Sequence, residues 1–313
     1  FNKGAILDQL GHLEDAFTLY NELIERFGAS NLPVVQESVA KAMFNKGVKL
    51  GQWGYSEEAI TIYDELIERF STSDLSALQG VVAVALLNKG VRLGQLGRIE
   101  NEITVYDQLI HFFGKSDVSE VQKHVAMALV NKGIRLGQLA RVEEAITVYD
   151  EIIQCFATSD VPEVQKQVAT ALVNKGARLG QLARTKDAIT VYDELIQRFG
   201  SCDVPEVQVH VAMALVNKSI MLGKMGNSED AITVCDKLIQ CFGTSDMPEM
   251  QVQVGKALLN KGVIRGQLGH LEDAITVYDE LIQRFSSSDV PDLQKQVGDA
   301  LVNKDILLGY LTQ

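Results

Sequence analysis

Proline is scarce, five in 313 residues, and aromatic side chains make up only 6% of the chain. That combination argues against a β-sandwich, a barrel or a collagen-like chain. Positive charge is in deficit: 29 lysines and arginines face 41 acids, a net charge of -12 that disfavours generic attraction to phosphate backbones or anionic membranes. Neither nucleic acid nor a membrane is expected as a partner. The longest uninterrupted aliphatic run, Val81 to Leu87, falls far short of the roughly 20 apolar residues that span a bilayer, and no secretory leader is recognised. Cys155, Cys202, Cys235 and Cys241 follow no metal-binding spacing, so free thiols without a leader point to a cytoplasmic setting. No two of the five histidines have zinc-ligand spacing, and no glycine-rich loop follows a strand to cradle phosphate. Acid pairs such as Glu143 and Glu144 read as exposed helix surface. The expectation is a chain that is not an enzyme and carries no metal and no cofactor.

What the chain does have is 46% hydrophobic content, enough for a core, distributed with a strict period. The dipeptide Asn-Lys begins at Asn2, Asn45, Asn88, Asn131, Asn174, Asn217, Asn260 and Asn303, 43 residues apart each time. Ala126–Val168 and Ala169–Val211 are identical at 31 of 43 positions, which excludes two unrelated domains and makes residues 1–313 one repeat array.

Each period reads as two helices. Asp160-Val-Pro-Glu163 fits a helix start, with an aspartate to cap, a proline in the first turn and an acid three residues after the cap. From there Val161, Val164, Val168, Leu172, Leu179 and Leu182 keep helical spacing for about 21 residues. After a break near Ala183–Thr185, a second helix places Ala188, Ile189, Tyr192, Leu195, Ile196 and Phe199 on one stripe and ends at Gly200. The long helix carries paired glycines such as Gly133 and Gly137, each costing about 1 kcal/mol relative to alanine. Close approach of a neighbouring helix explains them, with Ala145 and its counterparts expected on the other side of the contact.

Leu129, Gly133, Leu136, Ala140, Ala145, Tyr149 and Ile152 together resemble the tetratricopeptide repeat family, and the likeness extends over the whole chain. Lys132 departs from the family's usual leucine and Ile152 from its second small residue. The period is 43 rather than the usual 34, with the extra residues mostly between Phe156 and Val168. The resemblance implies an all-α, right-handed superhelical solenoid of about seven antiparallel hairpins plus a terminal helix. It also implies that the first helices line a concave groove for a peptide or protein segment.

One stripe of the long helix is polar, as in Gln167, Asn174 and Gln181 or His124, Asn131 and Gln138. Asparagine is an indifferent helix former, so its recurrence needs a reason. Asparagine ladders in similar superhelical arrays hold a bound peptide's backbone, and the resemblance carries that role onto Asn45, Asn88, Asn131, Asn174, Asn217 and Asn260, flanked by Gln138, Gln181 and Gln167. The alternative is an amide that bonds to the next repeat. Beside the ladder, Val130 and Ile134 vary in size and would tune side-chain pockets. Lys123, Lys132 and Arg135 give the long helix a basic character that either recruits an acidic partner segment or pairs with acids of the second helices, such as Asp150 and Glu151 or their counterparts.

Irregular copies stand out against this uniform background. Glu102 replaces the small alanine and is expected to loosen the packing unless its carboxylate reaches water or a base such as Arg92. Ser219 replaces a helix glycine, Cys235 a tyrosine, and Asp305 a glycine in what reads as a terminal capping helix. Phe1 falls midway through a long helix, so the chain reads as a portion of a larger polypeptide. The leading function is a noncatalytic scaffold for protein–protein interaction. The alternatives are a spacer or oligomerisation array, or the sensor segment of a signalling protein or enzyme.

Overall fold

In a computed structural model of the chain, residues 1–312 are described, and among them regular structure is entirely helical. Fifteen helices follow in order: α1 (Asn2–Gln9), α2 (Leu13–Phe27), α3 (Pro33–Gln52), α4 (Ser56–Phe70), α5 (Ser76–Gln95), α6 (Ile99–Phe113), α7 (Ser119–Gln138), α8 (Val142–Cys155), α9 (Pro162–Gln181), α10 (Thr185–Phe199), α11 (Pro205–Lys224), α12 (Ser228–Phe242), α13 (Pro248–Gln267), α14 (Leu271–Phe285) and α15 (Pro291–Leu311). The chain divides into two compact units, Phe1–Val164 and Gln165–Gln313, the division falling in the first turn of α9. In the first unit each of α1 to α7 packs on the next, and the long helices α3, α5 and α7 also touch in series. The second unit repeats the scheme from α10 to α15, with α11, α13 and α15 in series. These are stacked antiparallel hairpins of the solenoid class.

The start of each long helix is held differently from the sequence expectation. The capping position is an apolar residue such as Val118, Val204 or Met247, and it carries no side-chain cap. In α7 a serine two residues earlier does the work: Val118 N–H donates to Ser116 Oγ at 3.3 Å, and Gln122 Nε2 donates back to the Ser116 carbonyl at 3.2 Å. Ser73 with Gln79 and Ser245 with Gln251 repeat the arrangement. The aspartates of the expected capping signal sit one residue outside the cap, where they contribute an exposed charge.

The paired helix glycines have two different neighbours, and the alanine expected for both is not the main one. A Cβ at Gly176 would lie 2.6 Å from Cζ of Tyr192, and one at Gly133 would lie 2.7 Å from Cζ of Tyr149. The first glycine therefore makes room for the tyrosine ring of its own hairpin, and Tyr20, Tyr63, Tyr106, Tyr149, Tyr192 and Tyr278 are almost wholly buried. The second glycine instead receives the following long helix: Arg92 reaches over Gly51 and Met221 over Gly180. Alanine enters only as a more distant neighbour, with Ala274 Cβ 3.9 Å from a Cβ at Gly266.

Where the first glycine is Ser219, the tyrosine slot is Cys235, and the thiol is buried. The two departures compensate each other, because a serine side chain would occupy the space of a tyrosine ring. In the last helix, Asp305 is exposed, but so are Leu301 (45%) and Val302 (60%), whose counterparts Leu258 and Val216 are buried. α15 is the expected final long helix, and its outer face is largely apolar.

Candidate functional site

The asparagine ladder lies on the long helices as expected, and each of Asn45, Asn88, Asn131, Asn174, Asn217 and Asn260 is partly buried. Several of these amides point at the preceding hairpin. Asn45 Nδ2 donates to the Tyr20 hydroxyl at 3.1 Å and Asn131 Nδ2 to the Tyr106 hydroxyl at 3.5 Å, while Asn217 is hydrogen-bonded to Tyr192. Where tyrosine is absent, Asn260 Nδ2 donates to Ser219 Oγ at 2.8 Å and approaches Cys235 Sγ at 3.9 Å. Each such bond satisfies a polar group in the joint between hairpins, where an unpaired hydroxyl would cost about 1–3 kcal/mol. Burial raises Tyr63 and Tyr192 to about 12, the amide of Asn217 pulling Tyr192 back slightly. Gln138 and Gln181 are exposed, and their Oε1 atoms accept from Arg135 at 2.9 Å and Arg178 at 3.1 Å. Gln167 is partly buried.

The basic residues beside the ladder are taken up by acids of the preceding second helix. Lys89 meets Asp64, Lys132 meets Asp107, Lys218 meets Asp193, Lys261 meets Asp236 and Lys304 meets Asp279, all at 2.5–2.6 Å. The aspartates are about half exposed, so each pair contributes no more than about 1 kcal/mol. Arg135 is held more deeply: its Nε lies 2.8 Å from Oε2 of Glu102, which is 1% exposed. Tyr106 donates to the other oxygen at 2.9 Å. Arg135, and not the expected Arg92, is thus the base that Glu102 reaches; Arg92 donates to the Gly51 carbonyl and to Gln95. Burial, and next the Glu102 charge, push the Tyr106 hydroxyl upward.

An apolar groove of about 520 Å³ opens among α3, α5 and α7, walled by Phe44, Val81, Val84 and Val118 with Lys41 and Glu120 on its flanks. None of these four wall residues was among the binding residues expected from the sequence. Val81 and Val84 stand one helical turn apart and are partly exposed, whereas Val82, Ala83, Ala85, Leu86 and Leu87 between and after them are buried. Their counterparts elsewhere are mostly polar: Ser38, His124 and Gln167 for Val81, and Lys41, Met127 and Thr170 for Val84. The Val81–Leu87 run was the available signal, a stretch too long to be all on one buried face of a helix. Asn131 lines a second hollow in this unit, about 330 Å³, with Val91, Ile134 and Arg135. His124 borders the larger groove and is 6% exposed; burial and then Lys123 lower its pKa, Glu120 acting in the opposite sense. Among the described residues no three His, Cys, Asp or Glu side chains converge as a metal site, and no helix is long and apolar enough to cross a membrane.

The tetratricopeptide repeat family model matches residues 256–288, the span from the middle of α13 to the loop after α14. Over that span the chain resembles a tetratricopeptide repeat. No curated protein sequence matches the tetratricopeptide-like chain, so its likenesses are structural. It is similar to the apo form of RapI, with a TM-score of 0.63 at 12% identity over 99% of this chain and 85% of that one. It is similar also to a signal transduction ATPase with numerous domains from Pyrococcus horikoshii that has a tetratricopeptide repeat sensor, with a TM-score of 0.59 at 13% identity over 98% of this chain and 46% of that one. The third is BtubC from P. vanneervenii, with a TM-score of 0.55 at 16% identity over 75% of this chain and 94% of that one. At these identities the likeness establishes the fold of the tetratricopeptide-like array and nothing of its activity.

Proposed function

We propose that this array is a noncatalytic interaction scaffold that receives a segment of a partner protein along the face of its long helices. The observation that carries the reading is the groove among α3, α5 and α7: an apolar wall kept open to solvent at slots where other copies carry mostly polar side chains. Partly exposed valines at those slots forgo the stabilisation that burial would give them, which marks a surface suited to contact. The asparagines serve two ends in this reading. The Nδ2 groups of Asn45, Asn131 and Asn260 tie hairpins together, and the amide oxygens of the ladder accept a backbone N–H of a bound segment, with Gln138, Gln167 and Gln181 as flanking contacts. The scaffold works in a cytoplasmic setting.

The basic residues of the long helices also offer contacts to an acidic partner segment. Such a segment would compete with Asp107 for Lys132 and with the buried Glu102 for Arg135. Recognition therefore rests on apolar contact and backbone amides, which gives binding that changes little with ionic strength. The architectural alternative rests on the same asparagine–tyrosine bonds, and substitution separates the two. Asn131→Ala is expected to weaken partner binding at least fivefold while lowering stability by about 1 kcal/mol, the contribution of one hydrogen bond. Unchanged binding with the same loss of stability assigns the ladder to architecture alone.

A further inference from the structure

Arg98 and Arg141 stand at the starts of α6 and α8, and each reaches back 41 residues to a glutamate in the first turn of the preceding second helix. Arg98 holds Glu57 with two nitrogens, Nη1 lying 3.0 Å from Oε2 and Nη2 donating to Oε1, and Arg141 Nη1 lies 3.3 Å from Oε2 of Glu100. One period earlier the glutamate is Glu14, but the residue 41 places on is Tyr55. Glu14 and its neighbour Asp15 are exposed, and among the described residues no base lies within ion-pair distance of either. A hollow of about 400 Å³ stands there, walled by Trp53, His12, Glu14 and Asp15. Trp53 is the chain's one tryptophan, in a slot that is leucine or methionine in every other copy. Phe17, isoleucine in the other copies, packs against it with ring centroids 5.2 Å apart.

Asn227 likewise stands in the arginine slot, and there a hollow of about 380 Å³ opens beside Met225. Its charge is reversed: Lys186 takes the place of Glu14, and Asp187 is paired with Arg184 at 2.8 Å. Only the first hollow combines carboxylates that lack a base with an aromatic wall.

We propose that this first hollow binds an arginine side chain of a partner protein, the guanidinium lying on Trp53 and bonding to Glu14 as Arg98 bonds to Glu57 within the chain. A guanidinium is planar, stacks on an indole and offers paired donors to a carboxylate, so it satisfies both walls at once. The nearby cation Lys46 is placed over Phe17 instead, its Nζ 5.7 Å from the ring centroid. The site shares no residue with the groove among α3, α5 and α7, and it recognises charge where that groove offers apolar contact, so either can fail without the other.

The test is a titration of the full chain followed by the fluorescence of Trp53, using N-acetyl-arginine amide, its uncharged isostere N-acetyl-citrulline amide, and free arginine. The arginine amide is expected to shift the emission saturably, with the citrulline amide binding about fivefold more weakly. Glu14→Gln is expected to weaken the arginine amide about threefold. Tyr55→Arg, at an exposed position, supplies the missing guanidinium from within the chain and is expected to abolish binding. NMR of the Met225 methyl in the same titration is expected to show no change, because Lys186 repels the probe. Equal binding of the arginine and citrulline amides, unaltered binding by the Tyr55→Arg chain, or a response at Met225 equal to that at Trp53 overturns the proposal. Tighter binding of free arginine than of its amide assigns the hollow to the amino acid and overturns the partner protein as its source.

Discussion

The compensated pair Ser219 and Cys235 allows the hairpin joint to be rebuilt in its common form, and the energetics follow from distances in the other copies. Cys235→Tyr alone drives a ring against the Ser219 side chain. In the standard hairpin a Cβ at Gly176 would come 2.6 Å from Cζ of Tyr192, about 1 Å inside ordinary carbon contact. Overpacking of that kind costs about 1–3 kcal/mol. Ser219→Gly alone removes the acceptor of Asn260 and the bond from Ser219 Oγ to the Val216 carbonyl at 2.7 Å, and adds a helical glycine, for a loss of about 1–2 kcal/mol. The double variant relieves the clash, buries a tyrosine and restores the Asn260–tyrosine bond seen at Asn45 and Asn131. It is expected to be at least as stable as the parent, giving a coupling of at least about 2 kcal/mol between residues in direct contact. Urea unfolding of the four proteins, with hydrogen exchange of α11 to α13 to localise the change, measures the cycle. Additivity within about 0.5 kcal/mol would refute the claim that glycine and tyrosine are one packing unit.

Other consequences concern single positions. Arg135→Ala strands the buried Glu102 carboxylate and is expected to cost about 3 kcal/mol, whereas the Glu102→Ala, Arg135→Ala double variant returns most of it, because alanine is the residue at that slot in the other copies. Thermal unfolding decides this, and a double variant as damaged as the single would contradict it. Ala140 and Ala183 adopt φ of 59° and 58° at turns where other copies have glycine, so Ala140→Gly is expected to raise stability by about 0.5–1 kcal/mol; a lower unfolding midpoint would count against turn strain. Tyr63 and Tyr192, raised by burial to about 12, ionise near 10 in the unfolded chain. The folded state then holds more protons than the unfolded one between those values, so stability falls as pH rises through that window, by roughly 2 kcal/mol per tyrosine. Urea midpoints at pH 9 to 12 read this alongside absorbance at 295 nm, and a flat profile would show that the hydroxyls are not buried.

Much of the architecture was legible because helical periodicity and a strict repeat report the same thing. The break near Ala183, the end at Gly200 and the burial of Tyr192 all follow from spacing alone. Pairing between repeats was less legible. That Gly133 faces Tyr149 rather than an alanine depends on the angle at which two helices cross, which the spacing within either helix does not encode. The same holds for Arg135 reaching back to Glu102 when Arg92 was the nearer base in sequence. The groove was missed because a repeat reading rewards uniformity, and Val81 and Val84 are departures confined to one copy. Met127 and Thr170 show that the slot varies, but only the fold reveals that it faces a hollow between three long helices.

A scaffold of this kind holds its partner against that hollow. A photo-crosslinking phenylalanine derivative placed at Val84 of the full chain, and at exposed Thr104 on the second helix of the same hairpin, tests this in the native cell. The expected result is one discrete adduct from position 84 and none from position 104. Adducts of equal yield from both positions, or none from position 84 while position 104 captures a partner, would contradict it.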